Sequence, residues 1–150
     1  MLQVGDRMPE VSLRDQNGDA VDLRDHIGER GLVVYFYPAD FTPVCTREAC
    51  AFRDVWPELD ASAVQLIGIS PQDEASHRRF AAEHGLPFPL LADVDKVAIK
   101  AFGVSGPLGF GVRRATFLIG PDGRVKARAL ADFFLGDHKA LIDRVLAGNP

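Results

Sequence analysis

The segment from Leu32 to Cys50 constrains the fold more than any other part of the chain. Leu32-Val33-Val34-Tyr35-Phe36-Tyr37 is a run of β-branched and aromatic residues closed by Pro38, the pattern of a buried strand. Shortly after it, Thr42-Pro43 reads as a helix start, with Thr42 at the N-cap and Pro43 as the first helical residue, where its missing N–H is not needed. Cys45 then falls in the first helical turn. Backbone N–H groups there have no intrahelical partner, and the helix dipole is positive. A thiol so placed is biased toward the thiolate. Cys50, the second of the chain's 2 cysteines, lies further along the same predicted helix.

At 150 residues the sequence fits one domain, 1–150, with a single core. A content of 47% hydrophobic and 25% charged residues is that of a globular chain, neither disordered nor fibrous. The net charge of −4, with Arg113-Arg114 as the nearest thing to a basic cluster, leaves no footprint for nucleic acid or an anionic membrane. No apolar stretch approaches the roughly 20 residues that span a bilayer. Met1 to Val11 carries Asp6, Arg7, Pro9 and Glu10 and has no apolar signal core. The expectation is a cytoplasmic chain, in a compartment where structural disulfides are rare. Two cysteines there read as reactive, metal-bound or inert, and least of all as a staple. His26, His77, His84 and His138 are scattered and offer no second ligand pair beside the cysteines for zinc. No metal or cofactor is expected.

Strand and helix signals alternate along the chain. Asn17-Gly18 between Val11 to Leu13 and Ala20 to Asp22 is the signature of a tight hairpin. The helix from Pro43 runs through Phe52 and Val55 toward Leu59, with Pro57 as its kink or end. Val64 to Ser70 reads as a central strand, Asp73 to His84 as a helix stopped by Gly85, Phe88 to Leu91 as a short strand, and Asp95 to Phe102 as a helix ended by Gly103. Gly103 to Val112 is glycine-rich and reads as a loop. Ala115 to Ile119 is a strand, Pro121 to Arg124 a turn into a strand over Val125 to Leu130, and Asp137 to Ala147 a last helix closed by Gly148. This order predicts an α/β, thioredoxin-like fold with a mixed central sheet, helices on both faces and an N-terminal β-hairpin extension.

The chemistry centres on Cys45. An unperturbed thiol is only about 3% thiolate at neutral pH, and a helix terminus alone supplies about 0.3 to 1 kcal/mol, under one pKa unit. A cation is therefore needed. Arg114, at the start of the strand over Ala115 to Ile119, is the candidate, since a thioredoxin-like sheet brings it beside Pro38 and Thr42. Arg113 is its rival, because side chains alternate along a strand and parity alone does not choose. Glu48 reads equally well as a partner for a site arginine or as part of a solvated helix face. Five helical residues separate two Cα atoms by about 8 to 9 Å, beyond the roughly 7 Å that a disulfide allows. Cys45 and Cys50 can bond only if the first turns unwind.

The run Tyr35-Phe36-Tyr37-Pro38, Thr42-Pro43-Val44-Cys45-Thr46, Glu48-Ala49-Cys50 and Phe52-Arg53-Asp54 resembles the active-site segment of peroxiredoxins, in particular the bacterioferritin comigratory or peroxiredoxin Q branch. Arg114 to Ile119 is similar to the family's second signature. The resemblance implies a thiol peroxidase that reduces hydrogen peroxide and organic hydroperoxides, with Pro38, Thr42, Cys45 and Arg114 as its catalytic quartet. Cys45 would be the peroxidatic nucleophile, Thr42 would hydrogen-bond the peroxide, Arg114 would hold the thiolate and Pro38 would shield it from water. Cys50 would be the resolving thiol, and a thioredoxin-type dithiol the reductant. Phe41 and Val44 stand where many relatives carry a polar residue and a glycine, so a more apolar pocket mouth is expected. The short glycine-rich loop 103–112 bears on substrate preference. Few residues follow the last predicted helix, so resolution within one chain and a monomer are the economical expectation.

Other readings start from the same residues. Cys50 as a buried bystander leaves a one-cysteine peroxidase that uses an external thiol. A disulfide reductase on this fold calls for Cys-x-x-Cys, which is absent. A non-enzymatic redox sensor shares the first step with the peroxidase and differs in turnover.

Overall fold

The computed structural model describes residues 1–109 and 111–130. The expected last helix, about 137–147, and His138 lie outside them. The strands β1 (Ser12–Arg14), β2 (Ala20–Asp22), β3 (Gly31–Phe36), β4 (Val64–Ser70), β5 (Leu90–Ala92), β6 (Ala115–Ile119) and β7 (Val125–Leu130) form one sheet in the order β2-β1-β5-β4-β3-β6-β7. Among the described residues three α-helices accompany it: α1 (Pro43–Ala61), α2 (Glu74–His84) and α3 (Val97–Phe102). β3 pairs parallel with β4, as a helical crossover through α1 requires, and antiparallel with β6. The N-terminal hairpin joins by a single antiparallel register pair, Arg14 with Ala92. This is the mixed sheet of a thioredoxin-like fold.

Period-two alternation in β3 divides the interior into two layers. Val33 and Tyr35, with Tyr37 just beyond the strand, face Cys45, Ala49, Phe52 and Leu59 of α1 and Phe80 of α2. Leu32, Val34 and Phe36 face the opposite layer, with Ala98, Ile99 and Phe102 of α3 and Phe117 of β6. Both faces of β3 are buried, which explains why its sequence is an unbroken apolar run. Cys45 therefore sits at the end of the most buried strand, under the first turn of the longest described helix.

Several elements depart from the sequence expectation. Pro57 does not end α1, which continues to Ala61. A proline forfeits one backbone bond, but Leu59 beyond it is wholly buried, and Val55 and Trp56 pack against the same layer. The first hairpin is not closed by two residues. Its loop spans residues 15–19, and the Asp15 carboxylate accepts the N–H groups of Asn17 and Asp19 at 2.8 and 3.0 Å. β5 begins at Leu90, because Pro89 has no N–H to give the ladder. α3 begins at Val97, with Lys96 at φ 58° before it and the Asp93 carboxylate accepting the Ile99 N–H at 2.8 Å. Among the described residues no helix is long and apolar enough to cross a membrane.

Candidate active site

Thr42 stands at the N-cap of α1 with extended backbone, φ −78° and ψ 148°, and Pro43 follows at the first helical position. The Thr42 side chain does not cap the helix, as its residue type would lead one to expect. Its hydroxyl donates instead to the Ala39 carbonyl at 3.1 Å, across the loop that leads into the helix. A hydroxyl oxygen that donates once can still accept. Cys45 is the third helical residue and is 1% exposed. Its sulfur thus lies in a dry layer at the positive end of a long helix.

The register of β6 supplies the cation. Ala115 pairs with Phe36 at the end of β3, so the preceding Arg114 lies where the chain turns from β3 toward α1. Ala115, Phe117 and Ile119 belong to the α3 layer, whereas Leu118 belongs to the layer of Cys45. Arg114 shares the parity of Leu118, so its side chain runs under α1. Its Nη2 donates to Cys45 Sγ at 3.1 Å and its Nη1 to Glu48 Oε1 at 2.8 Å. Arg113 has the opposite parity, and its backbone N–H donates to the Val104 carbonyl at 2.8 Å.

Glu48 is buried on the same helix face as Cys45, and is no solvated surface residue. Burial pushes its carboxyl up from its ordinary 4.5 to about 7, against the pull of Arg114. For Arg114 itself, burial disfavours the charge, but Glu48 and Cys45 outweigh it and hold the guanidinium more firmly protonated than usual. One buried cation therefore faces two acids, and burial keeps one of them from claiming it fully at neutral pH. The Arg114 charge remains available to an anionic sulfur.

This has a consequence for stability. Below 4.5 Glu48 is protonated in both the folded and the unfolded chain; between there and about 7 the unfolded chain ionises first. Folding stability assigned to Glu48 is thus fully present at low pH and lost as pH rises through about 7. Wild type is expected to lose on the order of 3 kcal/mol relative to Glu48→Gln across that window. Urea unfolding of both proteins at a series of pH values measures this. Parallel curves for the two would mean that Glu48 is ionised throughout.

Pro38 is half-buried at the end of β3, and Cys50 is half-buried on α1. Neither cysteine is bonded, and Cys50 Sγ lies 4.0 Å from His84 Nδ1 at the end of α2. The folded helix therefore brings Cys45 together with Arg114 and not with Cys50. A second buried polar pair is formed by residues far apart in the sequence: Asp40 and His77, at 2.7 Å, between the loop after β3 and α2. Its only sequence signal is the spacing of His77, Phe80 and Ala81, which puts the histidine on the apolar face of α2.

A reactive-type cysteine at a helix start, with an arginine against its sulfur and a β3–α1 connection of thioredoxin-like form, defines a cysteine-based oxidoreductase. Comparison with known proteins narrows the class. The model of the AhpC/TSA family matches residues 4–128. Peroxiredoxin Bcp of Escherichia coli is 39% identical over 147 residues, which cover 94% of this chain and 93% of that one. Among solved structures, peroxidoxin BcpB from Mycobacterium tuberculosis is 33% identical with a TM-score of 0.87, covering 98% of this chain and 96% of that one. Xanthomonas campestris bacterioferritin comigratory protein, solved in a study of its alkyl peroxide reduction activity, is 30% identical with a TM-score of 0.85, covering 99% and 97%. The chain belongs to the AhpC/TSA family, among the thiol peroxidases of the Bcp and peroxiredoxin Q branch.

Proposed function

We propose that this peroxidase reduces hydrogen peroxide and organic hydroperoxides through Cys45, with Cys50 as the resolving thiol and thioredoxin as the reductant. The observation that carries the reading is the 3.1 Å contact from Arg114 Nη2 to the buried Cys45 sulfur at the start of α1. The Cys45 thiolate attacks one peroxide oxygen and the O–O bond breaks. The departing oxygen takes a proton and leaves as water or an alcohol, and Cys45 becomes a sulfenic acid. Arg114 stabilises first the thiolate and then the charge on the breaking bond, Thr42 accepts a hydrogen bond from the peroxide, and Pro38 keeps water from the sulfur. The Cys50 thiol then attacks the sulfenic sulfur, water leaves, and an intramolecular disulfide forms. A thioredoxin dithiol reduces it by exchange. Activity toward alkyl peroxides in the Xanthomonas campestris relative supports the organic substrates. The cycle needs one chain only, so the working unit is a monomer, and a reducing cytosol suits its free thiols.

Peroxide consumption with thioredoxin, thioredoxin reductase and NADPH tests the proposal. Wild type is expected to turn over, Cys45→Ser to lose all activity, and Cys50→Ser to react once with peroxide and then stop. Continued turnover by Cys50→Ser would mean an external resolving thiol. A single disulfide with no turnover under any dithiol would leave a redox sensor.

A further inference from the structure

The loop between Pro38 and Thr42 holds a buried polar cluster that the peroxidase cycle does not use. The side chains of Asp40 and His77 are both 0% exposed. Asp40 Oδ1 accepts the Tyr37 hydroxyl at 2.7 Å. Its Oδ2 accepts the Ser76 hydroxyl at 2.7 Å and lies 2.7 Å from His77 Nδ1. His77 Nε2 faces the Leu91 carbonyl at 3.0 Å, so that nitrogen carries a proton, and the Tyr37 hydroxyl lies 3.4 Å from Nδ1. One carboxyl group thereby ties the loop after β3 to two successive residues of α2, and through His77 to β5.

The cost of this arrangement locates its purpose. Burying ionisable groups is expensive, and well-packed apolar residues of the same volume often hold a fold together better. Directly beside Asp40, Phe41 has φ 65°, a left-handed conformation that is strained for a non-glycine residue. Such a backbone persists only where its surroundings over-determine it. Asp40 fixes the chain on one side of Phe41. On the other side, the Thr42 hydroxyl bonds back to Ala39 and the Thr42 carbonyl accepts the Thr46 N–H at 2.8 Å. The Phe41 ring lies edge-on to Phe80 of α2, with centroids 5.2 Å apart. The strained turn sets the direction in which the chain enters α1, and with it the position of Thr42 relative to Cys45.

We infer that Asp40 and His77 are positioning residues: a latch between the active-site loop and α2 that holds the folded arrangement in which Cys45 meets peroxide, and that takes no part in resolution. The inference rests on the reading of Cys45 as the peroxide-reactive thiol. It requires the two steps of the cycle to respond differently. A loosened loop misplaces Thr42 and slows the attack on peroxide. Resolution needs the first turns of α1 to open, and a loosened loop does not hinder that.

The experiment uses reduced full-length protein with Asp40→Asn and His77→Gln. Ile99→Ala, in the opposite layer, serves as a control that loses stability without touching the loop. Hydrogen–deuterium exchange of residues 39–46 is recorded before peroxide is added. Rapid mixing with hydrogen peroxide and an alkylating quench then follows sulfenic acid and disulfide separately by mass. Both latch variants are expected to exchange at least tenfold faster in the loop and to oxidise Cys45 at least tenfold more slowly, with disulfide formation no slower than in wild type. The control is expected to keep both rates. Unchanged exchange in the latch variants overturns the inference, as does a parallel fall of both steps like that of a merely destabilised protein. Should Asp40→Asn not fold, Tyr37→Phe and Ser76→Ala each delete one hydroxyl donor and are held to the same split at threefold. If wild-type Cys45 does not react with peroxide, the functional reading fails, and loop exchange alone decides whether the latch exists.

Discussion

Arg114→Met is expected to slow oxidation of Cys45 by hydrogen peroxide about a hundred- to a thousandfold. In the proposed cycle the guanidinium has two tasks at one sulfur. It supports the thiolate through a charge-assisted bond worth about 1.5 to 3 kcal/mol, and it faces the charge that develops as the O–O bond breaks. Each 1.36 kcal/mol is a factor of about ten in rate. The two contributions do not simply add, because a better-stabilised thiolate is also a weaker nucleophile. The variant is expected to fold. Without Arg114, Glu48 loses the cation that holds its carboxyl down, so it shifts further up and stays protonated rather than remaining as a stranded buried anion. Methionine also keeps most of the unbranched stem that packs under α1. Arg114→Lys is expected to recover only part of the rate. A single ammonium cannot serve Cys45 and Glu48 together as the planar fork does at 3.1 and 2.8 Å. Single-turnover mixing measures all three proteins, with urea unfolding as the control for folding. Oxidation of Arg114→Met within threefold of wild type would remove Arg114 from the chemistry.

What was legible in the sequence is what local signals carry. Pro38 after an apolar run and Thr42-Pro43 after a short loop fix strand, turn and helix start without reference to the rest of the chain. Cys45 at a helix start follows from them. Arg114 against Arg113 was legible through the family resemblance but not from strand parity, because the choice is made by which face of the sheet α1 covers, and that is decided by Val33, Tyr35 and Tyr37 on a neighbouring strand. Glu48 was half legible. Its place on the Cys45 face follows from helical spacing, but its burial depends on the β6 register that brings Arg114 beneath it. The pairing of Asp40 with His77 was not legible, although helical spacing puts His77 on the apolar face of α2. They lie 37 positions apart, and each has an ordinary local reading as a loop acid and a helix histidine. Of the two readings of Pro57, a kink or an end, the end is excluded, because burial beyond it outweighed one lost backbone bond.

Oxidation is expected to melt the start of α1 and to make the protein less stable, although it adds a covalent bond. With the helix intact the cysteine Cα atoms are about 8 to 9 Å apart, too far for a disulfide. Closing the bond therefore unwinds the turns that hold Cys45, Glu48 and Ala49, all buried in the reduced protein. The hydrogen bonds of those turns and the burial of Cys45 and Ala49 are lost with them, three to five contributions of about 1 kcal/mol each. Against this, a loop of about six residues restricts the unfolded chain by about 2 kcal/mol. The balance leaves the oxidised form less stable by about 1 to 3 kcal/mol, which for a chain of this size lowers Tm by about 2 to 12 °C. Calorimetry of the reduced and peroxide-oxidised protein measures the shift. Hydrogen exchange is expected to show lost protection confined to residues 43–51, with β3 and the rest of α1 unchanged. An oxidised protein that melts higher than the reduced one, with the first turns still protected, would mean that Cys45 and Cys50 do not bond to each other. In the proposed intramolecular cycle that strain favours the reductant. A disulfide that strains its own fold is reduced more readily than one that stabilises it, so the reductant's task is eased by the refolding of α1 over the regenerated Cys45.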